Sequence, residues 1–286
     1  MSGQNQQVPY YFVPNPSRHP LTASLGLLVM MGSLAAWLNG ASWAPLTFAA
    51  GLLFLFWVLY HWFGDAIFES EVGQYGKRVD KSYRWSMSWF IFSEVMFFLA
   101  FFGALFYARH FATDTFANLE NKLLWPDFAA VWPNNGPADL VAQFRSMTPW
   151  PLPTINTALL LTSGVTLTVS HHALRDNHRR KAIIWLAATV LLGLIFLFCQ
   201  GYEYFHAYHE LNLRLTSGAY GSTFFLLTGF HGFHVTLGAL MLFVVMIRLI
   251  RGHFTADHHF AFEGAAWYWH FVDVVWLGLY VVVYWL

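Results

Sequence analysis

Three groups of side chains in this sequence are of kinds that carry protons or bind metals, and all three sit among apolar residues. Glu94 stands in "FIFSEVMFFLAFF", residues 90–102, whose other members are apolar apart from Ser93. His231 and His234 lie three apart in "TGFHGFHVTLG", and Glu263, His270 and Asp273 follow one another at spacings of seven and three in "FEGAAWYWHFVDVVW". On a helix those spacings put each set on one face. Imidazole and carboxylate suit Fe, Cu or Zn, and the same residue types also build hydrogen-bond networks between packed helices. The residues alone leave both chemistries open, the network being the plainer one.

Glu94 poses the sharper question. It lies ten residues after Arg84, about 15 Å along a helix, which places it near the middle of a membrane. A charge at that depth costs at least about 2.5–3.5 kcal/mol. Its neighbours on the same helix face are Phe90, Ile91, Phe97, Phe98 and Phe101, and none of them can pair with it. Either another helix or another chain supplies a partner, or the carboxyl takes up a proton and is neutral.

The elements that must position these groups are legible in the composition. Of 286 residues, 57% are hydrophobic and only 10% charged, against roughly 25% charged in a soluble domain, so the chain reads as a membrane protein. Zero net charge gives no sign of nucleic-acid binding. Apolar runs of about 20 residues, enough to cross a hydrocarbon core, occur near 22–40, 45–67, 83–108, 155–174, 180–206, 220–248 and 262–285, all in a single integral membrane domain spanning 1–286. With seven spans, one side of the membrane receives eleven of the 15 Lys and Arg residues, leaving Arg109, Lys122, Arg145 and Arg214 on the other. The excess of positive charge marks the cytoplasmic side, so the N-terminus is expected inside and the C-terminus outside. The outer loop, 109–154, is rich in Trp and Pro and is expected to lie on the membrane surface or on a partner. Gly221, Gly229, Gly232 and Gly238 predict close helix packing around the sixth span. Cys199, the single cysteine, reads as a buried structural thiol. The polar, proline-rich N-terminus does not resemble a cleaved signal peptide. Together with the irregular outer loop it suggests a bacterial plasma membrane.

Histidines also gather at the inner ends of the spans, in "HHALRDNHRRK" (His171, His172, His178) and "RLIRGHFTADHH" (His253, His258, His259). Membrane di-iron oxygenases and desaturases use clustered histidines at such places, which makes a protein of that kind the alternative reading. No HxxHH block occurs here. The other reading is that these groups contact anionic lipid headgroups, each cation contributing on the order of 1 kcal/mol.

The stretches "FIFSEVMFF", "NTALLLTSGVTLTVSHHAL", "YGSTFFLLTGFHGFHV" and "HFTADHHFAFEGAAWYWHFVDVVWLGLYVVVYW", with "WFGDAIFES" more loosely, resemble subunit III of the haem-copper cytochrome c oxidases. They fall in that family's order and cover most of residues 60–286. The resemblance implies an all-α polytopic fold of seven transmembrane helices, split by a lipid-filled V-shaped cleft into bundles of two and five. It implies a non-catalytic core subunit with no cofactor or metal of its own besides bound phospholipids. The haem and copper centres belong to partners, the catalytic haem-copper subunit I and the copper-bearing subunit II, with cytochrome c as electron donor. The complex reduces oxygen to water and translocates protons, and this subunit sustains proton uptake and slows inactivation.

By the same resemblance, Glu94 matches the carboxylate attacked by carbodiimides on the face toward the catalytic subunit. Trp62, Glu69, Arg248, Arg251 and His253, and less closely Arg84, match lipid-headgroup contacts. His231, His234, Glu263, His270 and Asp273 read as a structural polar network. The sequence departs from the family's pattern at two places beside the second span. Phe68 replaces a basic residue before Glu69, and "VGQYGK" replaces a Gly-x-His-Thr turn.

Overall fold

In hydrocarbon every backbone N–H and C=O must be satisfied within the protein, and a helix does this within one segment. The computed structural model describes residues 13–136 and 141–286, and in it each of the seven apolar runs is helical. The helices are α1 (His19–Leu38), α2 (Ala44–Glu71), α3 (Lys77–Tyr107), α4 (Leu152–Arg175), α5 (Arg179–His209), α6 (Gly218–Arg251) and α7 (Phe260–Leu279). All are long and apolar enough to cross a membrane. The largest departure at a helix start is at α3, which begins at Lys77 instead of 83. Its first turns are polar and invisible to a hydropathy scan. The first 12 residues of the polar N-terminal stretch, and residues 137–140 of the outer loop, lie outside the described residues.

Proline opens α1, α2 and α4 within the first two positions, where its missing N–H has no partner to lose. Glycine closes α6: Gly252 takes φ +90° and the amides of Gly252 and His253 return to the carbonyls of Leu249 and Arg248, the left-handed stop that favours glycine.

The chain falls into two compact units, one ending at Tyr83 and the other running from Arg84 to Leu286. In the first, α1 and α2 lie against each other. A Cβ at Gly51 would sit 3.0 Å from the backbone nitrogen of Met30, so the two backbones approach as closely as small-residue contacts between membrane helices allow. Glu69, near the end of α2, accepts a 2.7 Å hydrogen bond from the hydroxyl of Tyr75. The departure "VGQYGK" thus supplies a partner for Glu69 from within its own turn. Burial first, and then that bond, push the Tyr75 phenol above its usual range.

The second unit is organised around Trp269 of α7, which is fully buried. Its indole lies where Cβ atoms at Gly193 of α5 and Gly238 of α6 would meet it at 2.6 and 2.8 Å. Its Nε1 donates to Ser163 Oγ of α4 at 2.9 Å. One side chain therefore touches three other helices. Of the sixth-span glycines, Gly238 packs tightly against Trp269 of α7 and Gly221 against Arg214 and Ser217 of the turn that precedes α6, a Cβ at Gly229 would lie 3.4 Å from the Tyr204 hydroxyl, and Gly232 faces open space, so close helix packing holds for only part of that set.

The outer loop begins as a continuation of α3, through a π-helical turn at Ala108–Ala112, to Phe116. Farther on it packs on its own unit: the Met147 amide donates to the Tyr220 hydroxyl at 3.3 Å, the Arg145 backbone amide donates to the Leu211 carbonyl, and Phe144 stacks on Tyr220.

Candidate functional site in the polar core

Glu94 has its partner on α6. Its Oε2 lies 2.8 Å from Nε2 of His234, and aromatic rings of Phe97, Phe98, Tyr268 and Phe271 surround the imidazole. His234 Nδ1 lies 2.6 Å from the Phe230 carbonyl. A carbonyl only accepts, so Nδ1 carries a hydrogen. The contact between Nε2 and the carboxyl then holds one further proton, on the nitrogen or on the oxygen. Either way the pair has no net charge, which is what an apolar surrounding requires. Of the two possibilities the sequence left for Glu94, the structure supplies the partner on another helix.

The other polar residues do not converge on Glu94. His231, fully buried, donates from Nε2 to the Val272 carbonyl of α7 at 3.2 Å and packs against Trp276. His270 and Asp273 pair within α7 at 3.3 Å. Glu263, though on the same helix as these two, belongs to a separate cluster at the helix ends. There Arg84 of α3 forms an ion pair with Glu263 Oε2, while Oε1 lies 3.1 Å from His259 Nε2. His171 of α4 completes the group, its Nε2 3.1 Å from His259 Nε2 and 3.8 Å from Glu263 Oε1. The expected single network on α6 and α7 is instead several local pairings, because seven residues along α7 span about 10 Å.

Of the inner histidines, His171 and His259 meet, whereas His172, His178 and His258 are exposed. Among the expected headgroup residues, Trp62 stacks on His19, Arg248 lies over the Phe254 ring at 4.6 Å, and Arg251 is exposed. His253 is half-buried just beyond the glycine stop of α6. Arg84 is committed to Glu263.

Sequence reasoning passed over Glu203. Its side chain on α5 is buried and accepts a 2.6 Å hydrogen bond from the Tyr284 hydroxyl. The same signal that singled out Glu94, a carboxylate within an apolar span, was available in "FCQGYEYFH". Oε2 of Glu203 and the side-chain amides of nearby Gln200 and of Asn156 on α4 have no protein partner, the usual setting of ordered internal water. Tyr284→Phe, which strands the carboxyl, is expected to destabilise the subunit by about 1–3 kcal/mol. Glu203→Gln, which keeps an acceptor for Tyr284, should cost less. Thermal release of this subunit from its purified assembly would rank the two.

The fold and the pairing of its buried polar groups define a polytopic helical membrane protein in which carboxylate and imidazole side chains make contacts between helices. Residues 9–286 match the model of the family described as cytochrome c oxidase subunit III. The chain is 42% identical over 276 residues to the cytochrome c oxidase subunit 3 of Gadus morhua, covering 96% of each chain. It is equally similar, with the same coverage, to those of Cyprinus carpio and Latimeria chalumnae. The chain belongs to the cytochrome c oxidase subunit III family, and so is a component of an oxidoreductase complex of the respiratory chain.

Proposed function

We propose that this chain is the non-catalytic core subunit that stands beside the haem-copper subunit I and the copper-bearing subunit II, binds phospholipid and sustains proton uptake during turnover with cytochrome c. The observation that carries this reading is the pairing of Glu94 with His234. Together with the bond from His231 to the Val272 carbonyl and the His270–Asp273 contact within α7, it gives each of these side chains a partner inside the protein. That is what a scaffold subunit needs. A di-iron oxygenase would instead need its histidines gathered around two irons, and His172, His178 and His258 point into the surroundings. The asymmetry of Lys and Arg supports an inward N-terminus and an outward C-terminus, and the irregular N-terminus and outer loop are the ground for a bacterial plasma membrane.

For the lipid contacts, the support is the position of Arg248, Arg251 and His253 at one helix end, where cations meet headgroup phosphate. Replacing Arg248 and Arg251 together by Ala is expected to lower the phospholipid retained by the purified complex and shorten its working lifetime in turnover. Mass spectrometry finding the lipid content unchanged would remove the headgroup role. Two irons bound per isolated chain would overturn the scaffold reading itself.

A further inference from the structure

The geometry points to a divalent-cation site, of the kind zinc occupies, formed by His171, His259 and Glu263 where the end of α4 meets the start of α7. The three atoms that would bind it are His171 Nε2, His259 Nε2 and Glu263 Oε1, separated by 3.1, 3.1 and 3.8 Å. The point equidistant from all three lies about 2.0 Å from each, the length of a bond from zinc to imidazole or carboxylate. A tetrahedral ion with such bonds has ligand atoms about 3.3 Å apart, so the triangle is already one face of that tetrahedron. The donor set, two imidazoles and a carboxylate, leaves a fourth position for water.

Hydrogen-bond direction reinforces the fit. His259 Nδ1 lies 3.0 Å from the Thr255 carbonyl and must donate to it, so in the neutral imidazole Nε2 carries the lone pair that a cation would take. An outer partner of this sort orients a metal-binding imidazole. Glu263 is held from behind by Arg84 on its other oxygen, and the His171 ring stacks on Phe262. A proton could bridge one edge of the triangle at a time, whereas the 3.8 Å edge is too long for a hydrogen bond. Only a larger cation uses all three atoms at once. The side chains are 27, 8 and 16% exposed for His171, His259 and Glu263, so the site is shielded yet open to entry. The Arg84 guanidinium withdraws part of the carboxylate's charge, and binding should be correspondingly moderate. The bound ion would tie the last turn of α4 to the first turn of α7.

The test uses the whole purified oxidase complex, stripped with a chelator, incubated with zinc chloride and washed, with zinc counted per haem by mass spectrometry. Wild type is expected to hold one zinc more than His171→Ala or His259→Ala, while His172→Ala, at the exposed next position, keeps the wild-type count. Equal zinc in wild type and the two site variants would overturn the proposal. Should either variant fail to assemble, anomalous scattering at the zinc edge from crystals of the zinc-treated wild-type complex decides the matter. A peak among the three side chains supports the site, and its absence there refutes it.

Discussion

Trp269→Ala is expected to release this subunit from the purified complex under detergent conditions that leave wild type intact. Among the changes considered, it should have the largest effect on stability. The indole fills a space bounded by Gly193, Gly238 and Ser163 on three separate helices, so no single helix can shift to close the void. In a soluble core a Trp→Ala change costs about 3–5 kcal/mol, made up of transfer from water and a cavity. Between membrane helices the transfer contribution is largely absent, because lipid tails are as apolar as the core. The loss of packing remains, and the expected cost is about 3 kcal/mol, the lower end of that range. Ser163→Ala separates the hydrogen bond from the packing. It removes the acceptor of the buried indole N–H and should cost about 1 kcal/mol, the lower end for a buried donor left without its partner. Retention of subunit III across a detergent titration measures both. Equal loss in the two variants would mean that the hydrogen bond, and not the fit of the ring between the glycines, holds α7 in place. Gly193→Ala should resemble Trp269→Ala, since its Cβ would meet the ring at 2.6 Å.

The spans themselves were legible because hydrocarbon imposes one rule, a continuous apolar run of sufficient length, and the rule needs no knowledge of tertiary contacts. The same helical period correctly deprived Glu94 of a partner on α3. It could not name His234, which lies 140 positions away, because the pairing depends on how far α6 slides along α3. The cluster of His171 and His259, 88 positions apart, was hidden for the same reason: local spacing in "HHALRDNHRRK" says nothing about which imidazole faces α7. Expecting Glu263 to act with His270 and Asp273 failed for a simpler cause. A shared helix face aligns side chains in angle but leaves them a turn or more apart along the axis. Arg84, matched to a lipid contact from its position in the sequence, is held by a carboxylate 179 positions away. Glu203 was legible and missed, its carboxylate lying close to the end of the fifth run, where a polar residue looks like a helix terminus.

The pairing of Glu94 with His234 leads to a thermodynamic cycle whose pattern, more than any single value, is diagnostic. Glu94→Gln is expected to cost less than about 1 kcal/mol, because the amide N–H₂ can donate to His234 Nε2 where the shared proton now lies. Oxygen consumption should remain close to that of wild type, since the pair has the makeup of a helix-to-helix clasp. Near-complete loss of oxygen reduction in a fully assembled Glu94→Gln complex would contradict that role. His234→Leu strands the carboxyl among Phe97, Phe98 and Phe271, and should cost about 1–3 kcal/mol as a neutral acid without a partner. Glu94→Leu strands the imidazole nitrogen in turn, with a similar penalty. The double replacement removes both halves and leaves an apolar contact, so it should be more stable than either single leucine variant. The resulting coupling is expected near 1–3 kcal/mol, read from subunit retention in the same detergent titration. Additive losses would mean that the 2.8 Å contact contributes nothing as a pair, and that Glu94 is held by surroundings other than His234.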